Sequence, residues 1–213
     1  MKKNNTFSYN WLTGLEVHIQ ETITNSLNNL YFNDEQFIHR AGELADGLYL
    51  IASGGVRINK LNKEGKELRI IDLGAKEWFG FIGFIGCFGS GSRPNDAVAI
   101  GKTHLQHLSN SRLNEIIAKH PEVTINITHF LARYVEYYGA VYEGAVFMPL
   151  KERLQFTLAK LSQWRGSTSI EISHHDLAAM LGVTKEAIGV NLSALKNDGL
   201  VNLGYRKIEY LGR

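Results

Sequence analysis

The sequence predicts an α+β chain: a strand-rich N-terminal half, one long helix, and a C-terminal domain built on two short helices and a hairpin. Three observations carry that prediction. Segments of period-two hydrophobicity broken by glycines run from Tyr31 to about Gly80. Ile127, Leu131, Tyr134, Tyr138, Val141 and Ala145 recur at alternating intervals of four and three. Ser173 to Leu200 has the order cap, helix, glycine turn, cap, helix.

Trp11 to Leu30 places Leu15, Ile19, Ile23 and Leu27 four apart, which predicts an amphipathic helix covering one side of the strands after it. In the strand region Tyr49 and Ile51 alternate with other side chains up to Gly54-Gly55, and Val56 and Ile58 resume the period. Asn62 to Gly65 makes a polar turn before Leu68, Ile70 and Ile71. Short strands with regular glycine turns predict a small barrel or jelly roll. GFIGFIGCFGSGSRPND, from Gly80 to Asp96, interleaves glycine with aromatics and reads as a loop lying on the barrel. Ala97 to Ile100 returns as a strand, and the chain becomes helical after His104. Pro121 sits in the first turn of a helix reaching about Ala145, whose apolar seam fits a second copy of itself. Gly144 to Pro149 reads as a hinge. The next helix, through Trp164, has Leu150, Leu154, Leu158 and Leu161 on one face with Phe156 beside it.

Ile170 and Ile172 make a brief strand before the densest punctuation in the chain. Ser173 and Asp176 form a capping box; Leu177, Met180 and Leu181 give an apolar face; Gly182 redirects the backbone. Thr184 caps a second helix, Glu186 suits its free amides, and Ala187, Ile188, Leu192 and Leu195 face inward until Gly199. A helix-turn-helix needs these features in this order, and it leaves the start of the second helix free to enter a major groove. Leu200 to Leu203 and Lys207 to Tyr210 flank a turn at Gly204-Tyr205-Arg206, a hairpin placed as a wing.

Composition narrows the classes. The formal net charge is +2, and the part from Pro149 onward carries nine Lys or Arg against six Asp or Glu. One cysteine, Cys87, excludes an intrachain disulfide framework and a four-cysteine iron-sulfur cluster. The N-terminus lacks the long apolar run of a signal peptide, and the most apolar stretch is too short and glycine-rich for a membrane helix. A soluble cytoplasmic protein is expected. No stretch assembles a nucleophile with its base, so no enzyme and no metal site are expected. His104 and His107, three apart near a helix start, lack further donors; haem would need an axial residue such as His39, His104 or His107, none in a distinctive setting.

Over nearly its whole length the chain resembles the bacterial transcription regulators related to the cyclic-AMP receptor protein and the fumarate-nitrate reduction regulator. The likeness is carried by LYLIASGGVRINKLNKEGKELRIIDLGAKEWFG, by the long helix, and by DLAAMLGVTKEAIGVNLSALKNDGLV. It implies a cyclic-nucleotide-binding-like β jelly roll over 1–120, a dimerisation helix and hinge over 121–145, and a winged helix-turn-helix over 146–213. Cyclic-nucleotide binders in the family carry a glutamate after Phe-Gly and an Arg-Ser pair. The matching positions here are Phe79, Gly80 and Phe81, then Asn95 and Asp96. Phe81 cannot accept a ribose hydrogen bond and Asp96 would repel a phosphate, although Arg93 substitutes if the loop is shifted. Loss of the nucleotide site is therefore expected, with no cofactor and with any effector an unidentified small molecule.

The resemblance also aligns DNA-reading positions. Lys185, Glu186 and Val190 stand where family members offer Arg, Glu and Arg; Glu186 can accept from cytosine, Lys185 can reach guanine or phosphate, and Val190 can touch a thymine methyl. Thr184, His174 and His175 match backbone contacts, Asn191, Ser193 and Lys196 lie farther along, and Arg206 and Lys207 are the wing's phosphate candidates. The expected partners are a palindromic promoter site in double-stranded DNA, a second copy of the chain, RNA polymerase and an unknown effector, with no membrane. Two other functions stay open: a ligand sensor whose C-terminal domain makes protein contacts, and a ligand-independent DNA-binding protein.

Overall fold

The computed structural model describes residues 10–63, 67–85, 91–165 and 167–212. They form two compact units, Met1–Lys60 with Ile70–Tyr138 and Leu61–Arg69 with Gly139–Arg213. In chain order the elements are α1 (Val17–Thr24), β1 (Asn28–Phe32), β2 (Phe37–His39), β3 (Gly47–Leu61), β4 (Glu67–Leu73), β5 (Trp78–Phe79), α2 (Phe81–Ile85), β6 (Asp96–Ser109), α3 (Asn110–Lys119) and α4 (Glu122–Phe147). After the long helix come α5 (Leu150–Arg165), β7 (Ser169–Glu171), α6 (His174–Leu181), α7 (Lys185–Asn197), β8 (Val201–Gly204) and β9 (Lys207–Tyr210). Among the described residues no helix is long and apolar enough to cross a membrane.

β6 is the spine of a six-stranded sheet of order β1-β6-β3-β4, with β2 also on β6 and β5 on β3. It is much longer than the predicted return at Ala97 to Ile100. Its antiparallel register with β1 runs from Asn28↔His107 to Phe32↔Thr103. His104 and His107 therefore belong to a strand and not to a helix start, and β6 carries them to different partners: His104 stacks on Tyr31 at 4.5 Å, and His107 reaches Asp46 at 3.5 Å. Among the described residues no group of three or more His, Cys, Asp or Glu is arranged to hold a metal.

The two predicted strands around Gly54-Gly55 are one strand, β3, with its register against β6 shifted between Ile51 and Gly55. Gly54 makes this possible. At φ 81° it occupies the left-handed region, and a Cβ there would meet the Lys102 carbonyl oxygen at 2.6 Å, so the bulge is open only to glycine. The N-terminal helix is also shorter than its spacing predicts. Leu15 is buried in a turn before α1, Ile19 and Ile23 are buried on α1, and Leu30 lies on β1. Spacing of four survives the change of element because Leu15, Ile19, Ile23 and Leu27 pack toward one core, with Trp11 between the rings of Trp78 and Phe81, whereas Leu30 packs on a second core within the sheet. The start of the glycine-aromatic stretch forms α2 instead of a loop. Residues 86–90, including Cys87, lie outside the described residues.

The long helix has two apolar faces. Val123, Ile127 and Phe130 are buried in the first unit, and Leu131 packs against the same core. The predicted seam thus begins on a face that the core of its own unit already covers: Ile127 at 4 % exposure cannot serve a second chain, whereas Val141 farther along is exposed. A parallel series shifted by one residue, Thr128, Ala132, Val135, Gly139, Tyr142 and Val146, has the same alternating spacing. Its large members are exposed, Val135 by 70 % and Tyr142 by 71 %. The break after this helix falls at Met148-Pro149; Gly144, placed in the predicted hinge, is still helical. Pro149 has no amide to give, but its carbonyl accepts from Glu152 and Arg153 and so opens α5.

In the second unit α5 buries Leu154, Leu158 and Leu161 against Ile188, Leu192 and Leu195 of α7. Each fully buried aliphatic side chain contributes roughly 1.5–3 kcal/mol. Phe156 is exposed and carries Lys160 over its ring at 4.7 Å. The small sheet has the order β7-β9-β8, with Ile170 and Ile208 paired beneath the helices.

His39, at the end of β2, gives the first unit a measurable signature. Burial, then the Arg93 charge, lowers its pKa from 6.5 to about 4, against opposing pulls from Asp46, Glu43 and Asp96. The unfolded chain binds the extra proton between those values, so His39 contributes full stability above about pH 6.5 and loses it as pH falls to about 4. The loss should reach about 3 kcal/mol. Urea melts from pH 7 to 4 should show a flatter acid limb for H39N than for the natural chain; equal slopes would place the acid sensitivity elsewhere.

Candidate functional site

The helix pair is built from its caps inward. The Ser173 hydroxyl accepts the Asp176 amide at 3.1 Å and the Asp176 carboxylate accepts the Ser173 amide at 3.2 Å, which closes the capping box at the start of α6. Burial pushes the Asp176 carboxyl up, but the Ser173 hydroxyl and amide, with the Arg69 guanidinium, outweigh it and hold the group below its ordinary value. Gly182, at φ 67°, ends α6 with its amide on the Ala178 carbonyl. Two residues later Thr184 caps α7, its hydroxyl accepting the Ala187 amide at 3.2 Å. Ile188, Leu192 and Leu195 are fully buried, and Ala178 is buried where α6 meets α7.

That burial decides what faces water. Thr184, Lys185, Glu186, Val190, Ser193 and Lys196 are all exposed on α7 or at its cap. Glu186 is held below its ordinary pKa by its own backbone amide and by Thr184, so it is a ready acceptor at neutral pH. Val190 is 71 % exposed, unusual for an aliphatic side chain on a helix whose other large apolar residues are buried. Asn191 is half-buried, and its amide nitrogen donates to the Ala187 carbonyl at 2.8 Å, which commits one of its two N–H groups to its own helix. His174 and His175 are exposed at the start of α6. His174 with Arg206 and Lys207 lines one concavity of about 270 Å³ between that start and the wing, whereas Lys185, Glu186 and Val190 lie outside it. The wing tip also presents Tyr205, 94 % exposed, beside Arg206 at φ 52°. From sequence Tyr205 reads only as a turn residue; an aromatic at a hairpin tip is the available signal.

In the first unit the positions aligned with a nucleotide cassette are occupied by the fold itself. Phe79 is buried and stacks on Tyr49 at 4.9 Å. Phe81 is buried between Trp11 and Phe130, its ring 4.1 Å from that of Phe130. Gly80, at φ 97°, gives its carbonyl to Arg93 at 3.1 Å. Arg93 is 2 % exposed, donating also to the Gly47 carbonyl at 2.8 Å and to Asp46 at 2.5 Å. Burial raises the Asp46 carboxyl, but Tyr49, Arg93 and His107 together hold it below its ordinary value. Asp96 is buried and accepts the Ala41 amide at 2.7 Å, and Asn95 is half-buried. A cyclic nucleotide does not fit these residues: the ribose acceptor is a phenyl ring, the nearby guanidinium is neutralised from within, and a carboxylate stands at a phosphate position.

Behind these residues lies a cavity of about 70 Å³, lined by Trp78, Phe79, Phe81, Phe130 and Tyr134, by isoleucines and leucine, and by His39 and Arg93. From sequence His39 is weighed only as a haem ligand; its place beside Arg93 depends on strand pairing across 54 residues and has no local signal.

Comparison with known proteins agrees with both halves of this structure. A family model described as the cyclic nucleotide-binding domain matches residues 29–120, and one described as the Crp-like helix-turn-helix domain matches 152–213. The chain is 32 % identical over 168 residues to the cyclic AMP receptor protein of Thermus thermophilus, covering 79 % of this chain and 76 % of that one. Among solved structures, the c-di-GMP responsive global regulator CLP of Xanthomonas campestris superposes with a TM-score of 0.79 at 20 % identity, covering 93 % of this chain and 100 % of its own. A protein from Eubacterium rectale described as a crp/fnr-family regulator gives 0.80 at 21 % identity, covering 99 % of this chain and 95 % of its own. Sheet, long helix and capped helix pair thus have their counterparts together in single chains, and the protein belongs to the CRP/FNR family of DNA-binding transcription regulators.

Proposed function

We propose that this regulator acts as a homodimer on a palindromic promoter site and is not controlled by cyclic AMP. The observation that carries the DNA assignment is the exposed start of α7, where Lys185, Glu186 and Val190 stand clear of a fully packed inner face. Such a helix enters a major groove by its N-terminal end, and a two-fold dimer places two of them about one helical turn apart. Lys185 supplies a donor for guanine or phosphate, Glu186 an acceptor for cytosine, and Val190 an apolar contact for a thymine methyl. His174, His175, Thr184, Lys196, Arg206 and Lys207 supply backbone contacts that set register. Asn191 keeps its carbonyl oxygen and one N–H, since the other N–H is given to Ala187. The internal use of Arg93 and Asp96 supports control by something other than a cyclic nucleotide.

The dimer contact in this reading is the exposed series through Ala132, Val135, Gly139, Tyr142 and Val146, with Ile127 left to its own core. Alternating spacing of three and four is the seam of a two-stranded coil, and small residues at 132 and 139 suit close approach. RNA polymerase and a cytoplasmic setting follow from this role as its partner and place.

Selection of bound fragments from genomic DNA should yield a palindromic motif. E186A should relax preference at one cytosine per half-site and K185A should weaken the selected site by about 5- to 100-fold, the range of one base contact. The absence of any sequence-selective binding would overturn the assignment.

For the wing, R206A and K207A should each weaken selected and random DNA alike and lower the slope of log affinity against log salt by about 1. An unchanged slope in both would remove the wing from the interface.

For the seam, V135D should convert dimer to monomer in sedimentation at micromolar concentration while preserving the melting transition of the first unit. A dimer unaffected by both V135D and Y142D would place the contact elsewhere.

A further inference from the structure

We propose that Tyr205, at the tip of the wing, is a further DNA-contacting residue: its ring packs between the sugar walls of the minor groove that flanks each half-site and favours A·T pairs there. The inference rests on the reading of α7 as the helix that enters the major groove, and it adds a second reading point outside that groove.

The apolar residues of the wing divide into two sets. Val201 and Ile208 are buried in the core of the second unit, and Leu203 and Tyr210 pack against it. Tyr205 joins no such cluster and makes no ring contact among the described residues, and it is 94 % exposed. The register of β8 with β9 closes at Gly204↔Lys207, so Tyr205 and Arg206 alone form the turn. Arg206 stands at φ 52°, and among the described residues of the second unit no other non-glycine residue has a positive φ. Glycine or asparagine adopts that conformation more readily. The chain thus places a bulky ring and a left-handed arginine at the two positions where small residues suit a hairpin best. Neither side chain serves the packing of the unit, which points to a partner outside it.

Position selects the groove. Tyr205 lines the concavity between the start of α6 and the wing, together with His174, Arg206 and Lys207. The carboxylates of the small sheet, Glu171 and Glu209, sit on its strands, Glu209 accepting from Asn202 at 2.9 Å, and the two turn residues add none. The tip is therefore the part of the wing that a phosphate strand can approach. A strand that borders a major groove on one side borders a minor groove on the other. With α7 in the major groove and that strand seated between α6 and the wing, Tyr205 lies on the minor-groove side. That groove is about 6 Å wide, which admits a planar ring edge-on. Its A·T pairs present only acceptors at the floor, whereas a guanine amino group stands up from it and keeps the ring out.

The test measures binding of the full-length protein to duplexes that carry its selected site with the flanking pairs set to A·T, G·C or inosine·C. Inosine·C has the minor-groove floor of A·T and the major-groove edge of G·C. The natural chain should bind the A·T and inosine·C duplexes alike and the G·C duplex more weakly. Y205A should lower affinity for the A·T duplex about 5-fold, the effect of roughly 40 Å² of apolar ring returned to water, and should erase the difference between duplexes. Its melting temperature and its slope of log affinity against log salt should stay those of the natural chain, whereas R206A should lower the slope. Y205F, which keeps the ring, should bind as the natural chain does. Equal binding by Y205A and the natural chain, a Y205F as weak as Y205A, or an inosine·C duplex bound like the G·C one would each overturn the proposal and leave the major-groove reading standing. A natural chain without sequence-selective binding would overturn both.

Discussion

A buried guanidinium governs the first unit. Arg93 is almost wholly removed from water, and a cation in that position is tolerable only if its charge and its donors are matched nearby. Asp46 matches the charge, and the carbonyls of Gly47 and Gly80 take further donors. Those partners come from the start of β3 and from the residue after β5, so one side chain gathers the segments that enclose the cavity. Asp46 in turn accepts from Tyr49 and approaches His107 on β6. The same network bears on anions: the positive charge that would attract one is already engaged inside the fold.

The second unit depends on shorter-range forces, and that difference controls how much of each was legible in the sequence. Ser173 and Asp176, Gly182, and Thr184 each act on backbone groups no more than five residues away. Their meaning is nearly independent of the rest of the chain, so caps, turn and helix starts were readable residue by residue. The outward direction of Lys185, Glu186 and Val190 was readable too, because it follows from the inward spacing of Ile188, Leu192 and Leu195.

Where long-range packing decided the outcome, periodicity misled. Spacing of four from Leu15 to Leu27 was produced partly by a turn and partly by α1, all buried by one core. His104 and His107 lay on a strand because β6 continues to Ser109, a length set by pairing with both β1 and β3. Gly54-Gly55 resembled a turn and is a bulge, since the sequence shows that glycine is required but not whether the chain reverses there. On α4 two heptad series differ by one residue. Long-range packing buries Ile127 at the start of one series, while Val141 farther along it and Val135 and Tyr142 of the other are exposed.

These two kinds of constraint leave different freedom for change. Val190 touches no core, so its replacement alters the exposed face of α7 with little consequence for folding. Phe81 has no such latitude. A glutamate there would bury a carboxylate among Trp11 and Phe130, with the nearest guanidinium already engaged by Asp46. Placing an acceptor at 81 and freeing Arg93 for an anion are therefore separate changes, and each alone leaves a buried charge without its partner.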